Sequence, residues 1–349
     1  MRKILVGVVA AFGVAAATPA WACGGLIAPN GAVGLVKTST LAAYHDGVEH
    51  YVTQFEFAGA DGEFGSIVPL PGVPSKVRKG GGWTLERLAI EVQPPVAFAE
   101  AAALPVAADL RGVTVLEEKR IGALDVTILR GGGVAVGRWA QENGFDLSPD
   151  APEMLDFYAD RSPIFMAAKF DATAAAERGL EAGEGTSIHL SIPTDDPWVP
   201  LRILGLGQGP EALIKADVFL LTDSEPMLLP GPAGSRTDLP VDGLRLQRSE
   251  PASKLLLRDL ASDRGMKWLP TEDMWFTYLD VREEAGDLTY DLAMDVTGGR
   301  PSPIDAGLVA DRSPASGWAP WATAGIGLGA VLLLLVLARR GAGLPPATA

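Results

Sequence analysis

The chain has 349 residues, 48% of them apolar and 21% charged. That is enough apolar side chain to offset the entropy of ordering a core, and it excludes a disordered or low-complexity protein. Lys+Arg 29 against Asp+Glu 43 leaves a formal net charge of -14, the wrong sign for neutralising phosphates, so no nucleic-acid partner is expected.

Arg2 and Lys3 precede an apolar run from Ile4 to Ala17, and Thr18-Pro19-Ala20-Trp21-Ala22 then puts small residues at the -3 and -1 positions of a cleavage site. This predicts a secretory signal peptide over 1–22, because the run is shorter than the ~20 residues a spanning helix needs. The mature chain would start at Cys23. As the chain has Cys 1 in its composition, no intramolecular disulfide can form, although export would place it where disulfides persist. Lipidation of Cys23 is the alternative use of that thiol, but Ala20-Trp21-Ala22 matches the expected aliphatic-small-small pattern poorly.

A strand from Val33 to His45, then Asp46-Gly47, then a run from Val48 to Phe57 predicts a β-hairpin, since a type I′ turn needs positive φ at both central residues. A two-residue turn sets His45 opposite Val48, Ser39 opposite Gln54 and Lys37 opposite Glu56. The face bearing Ala42, Tyr44, Tyr51, Phe55 and Phe57 is expected to meet the core, with His45 and His50 on a solvent face. Leu41 and Val52 dissent from that assignment.

Phe64 to Leu70 reads as a third strand leaving through Pro69, Pro71 and Pro74. Trp83 to Val92 reads as a short helix or strand. Val113 to Glu117 and Leu124 to Leu129 are further strands. Gly131-Gly132-Gly133 leads into a helix stopping at Gly144. Asp150 and Glu153 resemble a capping box for a second helix that Ser162-Pro163 closes. Strands are expected over Ile164 to Phe170, Thr186 to Ile192, Pro200 to Leu204 and Leu213 to Thr222. In the second of these Ser187, His189 and Ser191 alternate with Ile188, Leu190 and Ile192, which predicts one wet side. Phe276 to Glu283 and Leu288 to Asp295 read as another hairpin. Residues 298–319 are rich in Pro, Ser and Gly without periodicity and read as a flexible stalk.

Pro320 to Ala338 carries no charge, and its length suits a hydrocarbon core of ~30 Å. Trp318 and Trp321 flank its outer end, and Arg339 and Arg340 follow its inner end as the positive-inside signal. A single-pass transmembrane helix at 320–338 is therefore the expected membrane partner. It would leave an extracytoplasmic domain over 23–297 and a cytoplasmic tail over 339–349. Without Arg2, Lys3, Arg339 and Arg340 the exported part is more acidic than the whole.

Strands dominate and a central pair of helices interrupts them without βαβ alternation, which predicts an α+β fold, mostly antiparallel, with a C-terminal transmembrane helix. Chemistry is weakly signalled. His45, His50 and His189 are the available imidazoles, and no zinc spacing joins them. His189 between Ser187 and Ser191 could seed a Ser-His pair, but no nucleophile elbow accompanies it. Lys79-Gly80-Gly81-Gly82 and Gly205-Leu206-Gly207-Gln208-Gly209 complete no nucleotide fingerprint. Asp195, Asp196, Asp217, Asp223 and Glu225 lack the regular spacing of a calcium loop. No catalytic residue is assigned, and neither a cofactor nor a metal is expected.

Cys23-Gly24-Gly25, the stretch Phe64-Gly65-Ser66-Ile67-Val68-Pro69-Leu70-Pro71-Gly72-Val73-Pro74, Trp139 with Glu142-Asn143-Gly144, Tyr158, Phe165 to Lys169 and Pro200-Leu201-Arg202 occur in order. In these the chain resembles a bacterial exported family known as a domain of unknown function, over Cys23 to about Thr222. The resemblance implies a signal peptide and often a C-terminal membrane helix, and it brings no activity or catalytic residue. The resemblance also implies a second Cys in many members where this chain has Ala28. The expected function is a membrane-anchored extracytoplasmic module that binds an envelope protein or ligand or organises the envelope. The alternative is an anchored envelope hydrolase using His189, Ser191 or an acidic metal site.

Overall fold

A computed structural model describes residues 26–27, 34–58, 64–92, 114–170, 186–233 and 239–309. All of them fall in one compact unit. The expected signal peptide, Cys23 and the segment Pro320 to Ala338 lie outside the described residues. Among the described residues no helix is long and apolar enough to cross a membrane.

In chain order the strands begin with β1 (Leu26–Ile27), β2 (Gly34–His45), β3 (Val48–Ala58), β4 (Phe64–Pro69) and β5 (Lys76–Lys79). Helix α1 (Gly82–Val92) leads to β6 (Thr114–Ile121) and β7 (Leu124–Arg130). Helices α2 (Gly133–Glu142) and α3 (Ala151–Ala159) precede β8 (Ile164–Phe170), β9 (Ile188–Pro193) and β10 (Trp198–Val199), after which Arg202–Gly205 makes a 3-10 turn. Then come β11 (Leu213–Thr222), β12 (Met227–Leu229), β13 (Gly231–Ala233), β14 (Pro240–Pro251), α4 (Lys254–Ser262), β15 (Trp275–Glu284) and β16 (Leu292–Asp295). The fold is mixed α+β with mostly antiparallel sheet. Only β11 with β2 and β13 with β14 pair in parallel among the described strands.

The β2–β3 hairpin forms in the expected register, with His45 opposite Val48, Ser39 opposite Gln54 and Lys37 opposite Glu56. Asp46 at φ 50° and Gly47 at φ 73° supply the two positive angles the turn needs. The hairpin sits inside an eight-stranded sheet of order β13-β14-β15-β11-β2-β3-β9-β5. Both its faces are therefore covered, which corrects the expectation of a solvent face. One face, with Ala42 and Tyr51, joins a core shared with the five-stranded sheet β1-β4-β8-β7-β6 and with α2 and α3. The other, with Leu41, Ala43 and Val52, joins Phe219, Leu221 and Phe276 under α1 and α4. Leu41 and Val52 dissented because a second core lies on their side.

Helix α4 answers to a local signal. Ser253 accepts a 3.1 Å bond from the Leu256 amide as N-cap, and Leu256, Leu257 and Leu260 recur on one buried stripe, each contributing about 2 kcal/mol by burial. It lies beside α1 on the same side of the sheet, a helix that the local sequence pattern did not announce. The α3 capping box does not form: Asp150 makes no side-chain cap and instead accepts from the Gly207 amide at 2.9 Å.

Three further expectations are corrected. Pro200 to Leu204 is not a strand but leads into the 3-10 turn. The stretches around Phe276 and Leu288 are not a hairpin: β15 pairs with β11 and β14, whereas β16 pairs with β10 and β12 in a separate three-stranded sheet. Asp291 explains the divergence. It is fully buried and accepts from Tyr158 Oη at 2.7 Å, Arg161 Nη2 at 2.5 Å and the amides of Leu201 and Arg202 at 2.6 and 3.0 Å. Arg161 also donates to the carbonyls of Ile304 and Asp305 and lies 4.0 Å over the Trp198 ring. Residues 298–309, expected to begin a free stalk, thus include a stretch packed on the domain, with Ala306 fully buried.

Candidate functional site

The sheet brings together two histidines that lie 139 positions apart. In β3 and β9, His50 stands opposite Ser191 and Val52 opposite His189; in β9 and β5, His189 stands opposite Arg78. Period-two alternation puts His50, His189, Ser191 and Arg78 on the α1/α4 side of the sheet. Nδ1 of His50 lies 3.0 Å from Nε2 of His189. Ser191 Oγ is 3.4 Å from the same Nδ1 and accepts from Arg78 Nη2 at 3.5 Å. The indole of Trp268 closes the cluster by stacking on His50, with ring centroids 3.4 Å apart and planes within 5°.

Both imidazoles are buried, which corrects the reading of His50 as part of a solvated hairpin tip and of His189 as a surface residue. Burial pushes each down to about 3, with Arg78 adding to the effect at both and His50 adding to it at His189. They are neutral near pH 7. The proton between His50 Nδ1 and His189 Nε2 sits on one ring or the other according to tautomer, and Ser191 Oγ donates to or accepts from the same Nδ1 accordingly.

As a nucleophile-base pair the cluster is incomplete. A base that drops to about 3 is far below the pH at which general-base catalysis is efficient. His189 Nδ1 has no hydrogen-bond partner, so no carboxylate orients the second ring as a triad requires. His189 does not contact Ser187 in place of Ser191 either; Ser187 packs 3.2 Å from where a Cβ on Gly82 would sit.

The surroundings are rich in donors instead. Arg78 Nε and Trp268 Nε1 are also buried without a partner. Lys76, Arg264 and Lys267 are exposed around them, and neither 76–79 nor 264–267 contains an acid. The two basic segments meet through glycine. Gly80 lies so near the Arg264 carbonyl that a Cβ there would sit 3.1 Å from it. Gly81, at φ 82°, turns the chain into α1 where a side chain would strike Val52. The glycine tract is thus a close-packing device, and the N-terminus of α1 is already taken: Asp263 Oδ2 accepts from both Thr84 N and Thr84 Oγ1 at 2.9 Å.

The remaining candidates are scattered. His45 is bound to Asp223 at 2.7 Å and to Asp46 at 3.3 Å instead of to the histidine pair. Asp217 is buried and accepts from Tyr278 Oη. Among the described residues no group of three or more His, Cys, Asp or Glu is placed to hold a metal ion. A surface groove of about 210 Å³ runs past Glu153, Arg202, Gln208 and Thr289, but Arg202 in it is paired with Glu153 at 3.3 Å and stacked 4.0 Å over Phe157. Glu49 is the other unusual acid. It is fully buried beside β10, neither oxygen makes a hydrogen bond of ordinary geometry, and burial pushes it up to about 8 against a smaller pull from the Trp198 backbone amide.

Arg78 and Trp268 were not singled out from the sequence. An Arg in the edge segment Lys76–Lys79 reads as ordinary edge protection, and nothing local ties Trp268 to His50.

These features define an α+β domain with a buried imidazole pair beneath a basic surface. The chain belongs to the family described as an uncharacterized protein conserved in bacteria (DUF2330), which matches residues 16–224. No curated protein matches it. Among solved structures, baculovirus P35 is similar at 8% identity and a TM-score of 0.40, over 76% of this chain and 97% of that one. A mutated baculovirus P35 after caspase cleavage is similar at 8% identity and a TM-score of 0.39, over 74% and 99%. A likeness that distant carries no argument about function.

Proposed function

We propose that this protein is a single-pass, membrane-anchored extracytoplasmic module that binds an anionic ligand or partner at the cell envelope and does not hydrolyse it. Anchoring rests on the sequence of Pro320 to Ala338 with Arg339 and Arg340 behind it, and export on the segment 1–22. Binding rests on one observation: a chain of net charge -14 gathers Lys76, Arg78, Arg264 and Lys267 around buried, unpartnered nitrogens of Arg78 and Trp268. Donors concentrated on one patch of an acidic protein suit an acidic group.

Pull-down from envelope extract with the full chain tests it. Recovery of an acidic partner or ligand, lost in a Lys76→Glu, Lys267→Glu variant, is the expected result; repeated recovery of nothing refutes the binding reading. Fractionation tests the anchor, and an unprocessed product dissolved in the cytoplasm refutes it. The second reading, an anchored hydrolase, is favoured by the 3.4 Å approach of Ser191 Oγ to His50. Turnover in a broad hydrolase screen that His50→Ala and Ser191→Ala both abolish would establish it over binding.

A further inference from the structure

The basic patch continues onto a helical face with exposed apolar side chains. Thr84 is bound to Asp263, and Arg87 to Asp259 at 3.1 Å, so α1 and α4 run antiparallel side by side over the second core. Their outer surface carries Trp83, Ile90 and Leu255 at 44%, 61% and 68% exposure. Around their Gly82 end Lys76, Arg264 and Lys267 are exposed and within ion-pair distance of no carboxylate among the described residues. Glu86 is the exposed acid of α1, Glu91, Asp259 and Asp263 are held by Arg87 and Thr84, and Glu272 is taken by Lys254 with Arg258 nearby. Free cations beside a tryptophan and two aliphatic side chains are the composition of an interfacial membrane-binding surface: the indole sits at headgroup depth and the cations meet lipid phosphates.

We infer that the α1–α4 face docks flat on an anionic bilayer, with Trp83, Ile90 and Leu255 entering the headgroup layer and Lys76, Arg264 and Lys267 pairing with lipid phosphate. The inference rests on the reading of this patch as an anion-binding surface and names the source of the anion. Charge complementarity selects the occupant: so acidic a chain is repelled by such a membrane, and Lys76, Arg264 and Lys267 gather at the end of this face that carries Trp83.

The test uses the full chain in nanodiscs of phosphatidylcholine alone or mixed with phosphatidylglycerol. In a Cys23→Ser background, Ile90→Cys or Leu255→Cys carries an environment-sensitive dye, and Val134→Cys, 64% exposed on α2, carries the same dye as control. The expected result is a blue-shifted emission, quenched by spin-labelled lipid, at Ile90 and Leu255 in the anionic discs only. It should be absent at Val134 and reversed by high salt. Replacing Lys76, Arg264 or Lys267 by Gln should lower the docked-to-free ratio by about fivefold per residue. Equal emission in the two kinds of disc, or equal quenching at Val134, overturns the inference. Soluble glycerol phosphate, titrated while Trp fluorescence is followed, separates the two levels of failure. Binding of that probe without lipid docking overturns the bilayer and leaves the anion-binding reading standing, whereas neither response overturns both.

Discussion

Replacing Glu49 by Gln should change how stability depends on pH. In the folded chain burial raises this carboxyl from its usual 4.5 to about 8, so it is protonated when folded and ionised when unfolded throughout that interval. Unfolding then releases a proton, and stability must fall as pH rises from about 4.5 to about 8 before levelling off. Each pH unit is worth about 1.4 kcal/mol per proton, which accumulates to about 5 kcal/mol over the interval. That is a ceiling, because local opening beside Trp198 would let the carboxylate reach water at lower cost. Gln keeps the shape and cannot ionise. Urea unfolding of the full chain in mild detergent, followed by Trp fluorescence, should therefore give similar midpoints for the two proteins near the acidic end. Above pH about 8, Glu49→Gln should be the more stable by several kcal/mol. Parallel curves across the whole interval would show that Glu49 is solvated or paired and would refute the argument.

The histidines work with the opposite sign. Because folding lowers His50 and His189 from 6.5 to about 3, the unfolded chain takes up protons first, and stability is lost as pH falls from about 6.5 toward about 3. His189→Gln should make that acid limb shallower by about one proton in the same unfolding measurement. Asp291→Ala leaves Arg161 buried without its carboxylate and Tyr158 without its acceptor, so a loss of about 3 to 5 kcal/mol is expected, read as a large drop in thermal midpoint. Asp263→Ala removes the cap shared by Thr84 N and Thr84 Oγ1 and should cost about 1 kcal/mol, with faster amide exchange confined to the first turn of Gly82–Val92.

What the sequence disclosed was local. Asp46-Gly47 set the register of its hairpin because turn geometry fixes strand pairing residue by residue. The alternation Ser187, His189, Ser191 misled because polarity normally marks solvent; here the polar side is buried under α1 and α4 and satisfied partly by His50 from another strand. The site was illegible for the same reason. Which strand lies beside β3 is a long-range matter, and no spacing within Val48–Ala58 announces β9. Asp291 gave the clearest misdirection: it fits the wet phase of an alternating strand, yet Tyr158, Arg161 and two backbone amides make it an interior anion. Leu41 and Val52 were the legible warning that the hairpin has two buried sides.

The placement of β11 bears on where this domain can be cut. The family match ends at residue 224, just past Leu213–Thr222, but the antiparallel neighbour of that strand along its whole length is Trp275–Glu284. A fragment trimmed to the family boundary would leave ten residues of ladder unpaired along the sequence Val218-Phe219-Leu220-Leu221, a sticky rim that invites strand exchange between molecules. The part that folds as a unit is therefore longer than the part that is shared.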